Sequence, residues 1–135
     1  QMPFKLSAEP KKDQFFRHKP CFVSVEPANY CQLSCPECYV GTHRRPVSAR
    51  RLLSDELMRN ILDEFAQTAP TFQFYFQGEP TLNPRLAHLI EAAHRQRLVT
   101  IMSTNGQSLD RQMAQEIVKA GLDKVIVSVD GLTQA

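Results

Sequence analysis

Thr71-Phe-Gln-Phe-Tyr-Phe-Gln77 sets Phe72, Phe74 and Phe76 on one side of an extended chain, with Gln73 and Tyr75 on the other. Alternation of period two is the pattern of a β-strand, because successive side chains leave a strand on opposite faces. Toward the N-terminus, Phe22-Val-Ser-Val-Glu26 is a β-branched run that reads as an earlier strand. Toward the C-terminus, Leu98-Val-Thr-Ile-Met-Ser103 and Lys124-Val-Ile-Val-Ser-Val129 read as a third and a fourth.

Helical patterns fill the gaps. Ser54 is placed to cap a helix whose first turn carries Asp55 and Glu56, which the helix dipole favours there. Its expected buried stripe is Leu57, Ile61 and Phe65, flanked by Met58 and Leu62. Asn83-Pro84 supplies the cap and first position of the next helix, with Leu86, Leu89, Ile90 and Ala93 inward. A third helix runs from about Asp110 to Ala120 with Met113, Ile117 and Val118 inward. Gly121 ends it in a left-handed conformation, and Leu122 packs back on its last turn. Strands that alternate with helices imply right-handed parallel crossovers, hence an α/β sheet or barrel of about four parallel strands with intervening helices. The chain stops at Ala135, just past the fourth strand and with no helix to cover it. An open sheet edge is a liability, so residues 21–135 are expected to be the N-terminal portion of a longer barrel, preceded by an extension over residues 1–20.

The 135 residues are 42% apolar and 22% charged, as in a soluble globular domain, and the net charge of +2 points to neither nucleic acid nor membrane. No run approaches the roughly 18 apolar residues of a membrane helix. The stretch from Gln1 to Pro20 lacks the apolar core of a signal peptide. A cytoplasmic location is the expectation, where thiols stay reduced. Of four cysteines, three fall within the eight residues 31–38, which points to metal rather than disulfides.

The distinctive polar residues all follow strands. Glu26-Pro-Ala-Asn-Tyr leads into Cys31-x3-Cys35-x2-Cys38, and Gly78-Glu79-Pro80 follows the second strand. Thr104-Asn105-Gly106 follows the third, and Ser128-Val-Asp130-Gly131 closes the fourth. In parallel α/β folds ligands bind at the carboxyl ends of strands. Four clusters at that edge favour one composite site, although Asn105-Gly106 and Asp130-Gly131 taken singly are ordinary turn dipeptides. Cys31, Cys35 and Cys38 are spaced to grip one metal centre. Cys21 lies five residues before the end of the first strand, about 17 Å from that edge at roughly 3.3 Å per residue. It is read as a small buried apolar residue and not as a fourth ligand. Three thiolates on a cubane cluster leave one iron open for a substrate or cofactor. Spacing by itself leaves open a structural zinc site completed by His43, and an electron-carrying cluster.

Cys31-Gln-Leu-Ser-Cys35-Pro-Glu-Cys38 after a first strand resembles the signature of the radical S-adenosylmethionine (SAM) superfamily. Gln77-Gly78-Glu79-Pro80 resembles its glycine-rich motif, which binds the amino group of SAM. Ser103-Thr-Asn105-Gly and Ser128-Val-Asp130-Gly resemble the later strand-end motifs that hold the ribose and carboxylate. The resemblance runs from about Phe22 to Gly131. Two positions depart from the family: Glu37 stands where an aromatic residue usually precedes the third cysteine, and Gln77 replaces the first of two glycines.

The resemblance implies a partial (β/α) barrel of the radical SAM type and a 4Fe-4S cluster on Cys31, Cys35 and Cys38. It implies SAM contacts at Glu37, Gly78, Glu79, Ser103, Asn105 and Ser128. It further implies reductive cleavage of SAM to a 5′-deoxyadenosyl radical that abstracts hydrogen from a substrate. An electron donor such as flavodoxin or ferredoxin is the implied partner. Asn29-Tyr30-Cys31 through Cys38-Tyr39 is similar to the SPASM-type branch, which modifies peptides and proteins. Glu26 is read as positioning SAM or forming an internal ion pair, the structural use being favoured. The basic stretch from His43-Arg44-Arg45 to Arg50-Arg51 is read first as a solvated loop and second as a contact for an anionic substrate or the reducing partner.

Overall fold

The computed structural model describes residues 20–129. The N-terminal extension up to residue 19, Asp130 and Gly131 lie outside them. Four strands form one parallel sheet in the order β1-β2-β3-β4: β1 is Val23–Ser24, β2 Thr71–Phe74, β3 Val99–Thr104 and β4 Lys124–Val127. All three pairings are parallel, with Val23 opposite Phe72, Phe72 opposite Thr100 and Met102 opposite Val125. The helices are α1 (Tyr39–Thr42), α2 (Asp55–Phe65), α3 (Leu86–Arg95) and α4 (Arg111–Lys119), joined by single 3₁₀ turns at Val47–Ala49 and Pro80–Leu82. This is the α/β arrangement of a partial barrel.

The core lies between the sheet and helices α2 to α4. Phe72, Phe74 and Met102 enter it from the strands, and Met58, Leu62, Leu86, Leu89, Ile90, Ala93 and Ile117 from the helices. The alternation read over residues 71–77 is correct as far as Phe74. Phe76 departs from it, being 72% exposed, because β2 ends at Phe74 and the chain turns away before a third inward position is reached.

The stripe expected on α2 is displaced by one residue. Met58 and Leu62 are buried, Ile61 is partly buried, and Leu57 and Phe65 are exposed. Adjacent residues of a helix differ by about 100° in direction, so two apolar rows stand side by side here. The packing of α2 on its neighbours selects the row that begins at Met58. Val118 is likewise exposed on α4, one step round from buried Ile117.

Caps fix the helix ends. The Ser54 hydroxyl accepts from Leu57 N at 3.1 Å, and the Asp110 carboxylate accepts from Met113 N at 2.8 Å. Asn83 does not cap α3, which begins at Leu86. Its Oδ1 accepts from Arg85 N at 2.8 Å, while its buried amide donates to the carbonyls of Pro27 and Leu53. Asn83 therefore ties the end of β1 to the start of α3, which sets the strand-end loops relative to the helices. Asp55 at the start of α2 lies 2.5 Å from Arg85, and that guanidinium holds its carboxyl below the usual range.

Gly121 closes α4 as expected. Its N–H donates to Val118 O at 3.1 Å and Leu122 N–H to Ile117 O at 3.2 Å, the paired bonds of a Schellman motif. Gly121 has φ +89°, and a Cβ there would meet the His94 ring at 2.4 Å. Gly121→Ala is expected to lower stability by about 1–2 kcal/mol through the left-handed backbone alone; a urea midpoint equal to that of the wild type would contradict this.

Candidate functional site

The carboxyl ends of the strands open onto one cleft of about 470 Å³, within the range of small-molecule sites, roughly 300–1,000 Å³. Its wall includes Cys31, Cys35 and Cys38, then Gly78 and Glu79, then Ser103 and Asn105, and finally Ser128. Residues from four separate strand ends are thus brought together. Glu37 is the exception: its side chain is exposed and takes no part in the wall.

The cysteine loop is held by close backbone packing. Cys38 N donates to Cys35 O at 3.1 Å, and α1 follows at once. Gly41 in that helix sits so near the loop that a Cβ would lie 2.6 Å from Cys35 O. Cys31 Sγ accepts from Leu33 N and from Asn105 Nδ2, each at 3.4 Å. Gln32 reaches Asn105 Oδ1 from the same loop at 3.2 Å. Asn105 thereby links the end of β3 to the first cysteine.

Glu79 is buried and fully engaged. Oε1 accepts from Thr81 N, Thr81 Oγ1 and Thr104 Oγ1 at 3.0, 2.6 and 2.6 Å, and Oε2 accepts from Asn105 N at 2.9 Å. Its own N–H donates to Tyr30 O at 2.9 Å. A buried carboxylate with this many donors is well compensated. Its side chain joins the ends of β2 and β3, and its N–H ties them to the segment before Cys31.

Glu26 forms no ion pair among the described residues. Its Oε1 accepts from Gln77 N at 3.0 Å and Gly78 N at 2.8 Å. The basic stretch is exposed, as read, but its arginines also hold the cysteine loop. Arg44 donates to Gln32 O and to Ser34 Oγ, Arg45 to Asn29 O, and Arg50 lies 5.0 Å from the Tyr30 ring. Cys21 is exposed and not buried, because it precedes the paired residues of β1. It is absent from the cleft wall, as its distance in sequence requires.

His43 stacks on Tyr39 with ring centroids 4.5 Å apart and does not line the cleft. Among the described residues, no three cysteine, histidine or acidic side chains converge on a single ion. Three thiols around one cleft, whose wall holds among the described residues no carboxylate other than the engaged Glu79, fit a cluster, which takes its thiolates on different irons. Sequence reading missed Tyr75, Phe76, Gln107 and Val129 in the wall and the contacts of Thr104. For Phe76 the signal available, alternation, pointed the wrong way.

Known proteins share the chain's sequence and its fold. The chain is 30% identical over 121 residues to Fe-coproporphyrin III synthase of Methanosarcina barkeri, covering 90% of this chain and 30% of that protein. It is 30% identical over 113 residues to PqqA peptide cyclase of Granulibacter bethesdensis, covering 81% and 29%. The chain thus spans about a third of the length of these relatives. Among solved structures, BtrN in complex with AdoMet and 2-DOIA superposes with a TM-score of 0.69 over 80% of this chain and 45% of that one, at 22% identity, which shows a shared fold. The profile of the radical SAM superfamily matches residues 25–135, from the end of β1 through all four strand-end motifs. The chain belongs to the radical SAM superfamily.

Proposed function

We propose that this chain is the cluster- and SAM-binding part of a radical SAM enzyme whose substrate is a peptide or protein. The observation that carries the reading is the single cleft in which Cys31, Cys35 and Cys38 meet the ends of all four strands. Cys31, Cys35 and Cys38 hold a 4Fe-4S cluster and leave one iron free of protein ligands. That cofactor pair supplies reductive cleavage of SAM and a radical that takes hydrogen from substrate; the chain's residues bind, orient and shield. Gly78 and its neighbours face the amino group through backbone atoms, since the Glu79 side chain is spent inside the fold. Ser103, Asn105 and Ser128 offer side-chain hydrogen bonds to the ribose and carboxylate. Glu37, with its side chain exposed, contributes through its backbone only.

PqqA peptide cyclase among the relatives supports the peptide substrate and, with it, the SPASM-type branch. The electron donor is a flavodoxin or ferredoxin, and the exposed arginines beside the cysteine loop offer it a positive surface. Among the described residues no helix is long and apolar enough to cross a membrane.

Anaerobic reconstitution followed by metal and sulfide analysis tests the assignment. The expected result is about four irons and four sulfides per chain. Stoichiometric zinc without iron would overturn it in favour of a structural metal module.

A further inference from the structure

Glu26 sends one oxygen to two successive peptide groups on the far side of the cysteine loop, Gln77 N–H and Gly78 N–H. The next N–H, that of Glu79, goes to Tyr30 O in the same β1-to-cysteine segment. Three consecutive donors at the end of β2 are therefore claimed from one side. No cis peptide occurs among the described residues, and in a trans peptide the N–H and the preceding carbonyl point in opposite directions. The carbonyls of Phe76, Gln77 and Gly78 are thus turned away from Glu26 and Tyr30. None of them accepts a hydrogen bond within the described residues, and all three residues line the cleft.

A row of unengaged carbonyls suits a donor-only cation such as an ammonium group. Hydrogen bonds to a carboxylate also polarise the peptides that make them, which strengthens the carbonyls at their other end. Gln77 stands where the family has a more permissive glycine, so an external clamp on this turn has more to do here.

We propose that Glu26 is a positioning residue for the amino group of SAM, acting through the Gln77 and Gly78 peptides rather than by touching the ligand. This rests on the SAM-binding reading above. Its consequence is selective: loss of the clamp weakens the contact with the amino group and spares the rest of the ligand.

The test compares SAM with an analogue in which hydrogen replaces the amino group. Affinities are read by equilibrium dialysis on the anaerobically reconstituted protein, with iron content measured for every variant. Glu26→Ala is expected to weaken SAM binding about ten- to a hundredfold, the effect of one charge-assisted contact. The affinity for the analogue should change by less than about threefold. Glu26→Gln keeps an acceptor at the same place and should recover most of the affinity. Glu26→Met keeps the bulk without the acceptor, and it is read by the same ratio should the alanine variant fail to fold. Equal weakening of both ligands, or of neither, would overturn the proposal. A wild-type protein that binds neither SAM nor the analogue would instead overturn the SAM-binding reading itself.

Discussion

Gly78→Ala is expected to destabilise the protein by about 3 kcal/mol, the upper part of the range for overpacking, and to abolish SAM binding at concentrations that saturate the wild type. A Cβ at Gly78 would stand 1.8 Å from Ala28 O and 2.8 Å from Ala28 C. Both atoms are backbone, so no rotamer change relieves the overlap. The two chain segments must part, and the bonds that join them go with the separation: Gly78 N–H to Glu26 and Glu79 N–H to Tyr30 O. Tyr30 immediately precedes Cys31, so the displacement reaches the first cysteine. Chemical denaturation and equilibrium dialysis measure the two effects. A variant with wild-type stability and affinity would show that the close approach of these segments is unimportant.

Replacing any one of Cys31, Cys35 and Cys38 by alanine is expected to reduce reconstituted iron to less than about a tenth of the wild-type content and SAM cleavage to background. Each thiolate holds its own iron in a cluster, so two remaining cysteines cannot retain the third corner. Among the described residues no other thiol, carboxylate or imidazole in the cleft wall is available as a replacement, because Glu79 is already bonded. Cys21→Ala is the control. Cys21 is exposed ahead of β1 and outside the cleft wall, and its loss should leave iron content unchanged. Iron retained in the Cys35→Ala variant, or lost in the Cys21→Ala variant, would contradict this account of the ligand set.

The strand-and-helix order was legible because local signals agreed at each step. Ser54 and Asp110 cap where their hydroxyl and carboxylate can reach the next turn, and Gly121 stops α4 where only a left-handed residue fits. The parallel sheet followed from that order alone. Apolar patterning was less decisive wherever two adjacent rows were both hydrophobic, as with Leu57 and Met58, because tertiary packing chooses between them. The strand reading overran at Phe76 for a related reason: alternation continues in the sequence after hydrogen-bonded pairing has ceased.

At the site, the position of the motifs on one edge was readable, and most of the contacts within it were not. Nothing in the composition of Glu26-Pro-Ala-Asn-Tyr showed that the carboxylate would bridge 51 and 52 residues to two backbone amides. Glu79 was expected to meet the ligand through its backbone, and that its side chain would bond Thr81, Thr104 and Asn105 was not legible. Such contacts join residues distant in sequence, and no local propensity encodes them. Cys21 was misjudged because burial was inferred from residue type, whereas its place before the first paired residue decides its exposure.

On the function proposed above, the cleft would hold a cluster and SAM together so that one electron breaks a carbon–sulfur bond. The most direct measurement is the amount of 5′-deoxyadenosine formed when the anaerobically reconstituted protein receives SAM and a one-electron reductant. The expected products are 5′-deoxyadenosine and methionine in equal amounts, dependent on reduction and absent from the Cys35→Ala variant. A cluster that is fully reduced in the presence of SAM yet yields neither product would contradict it.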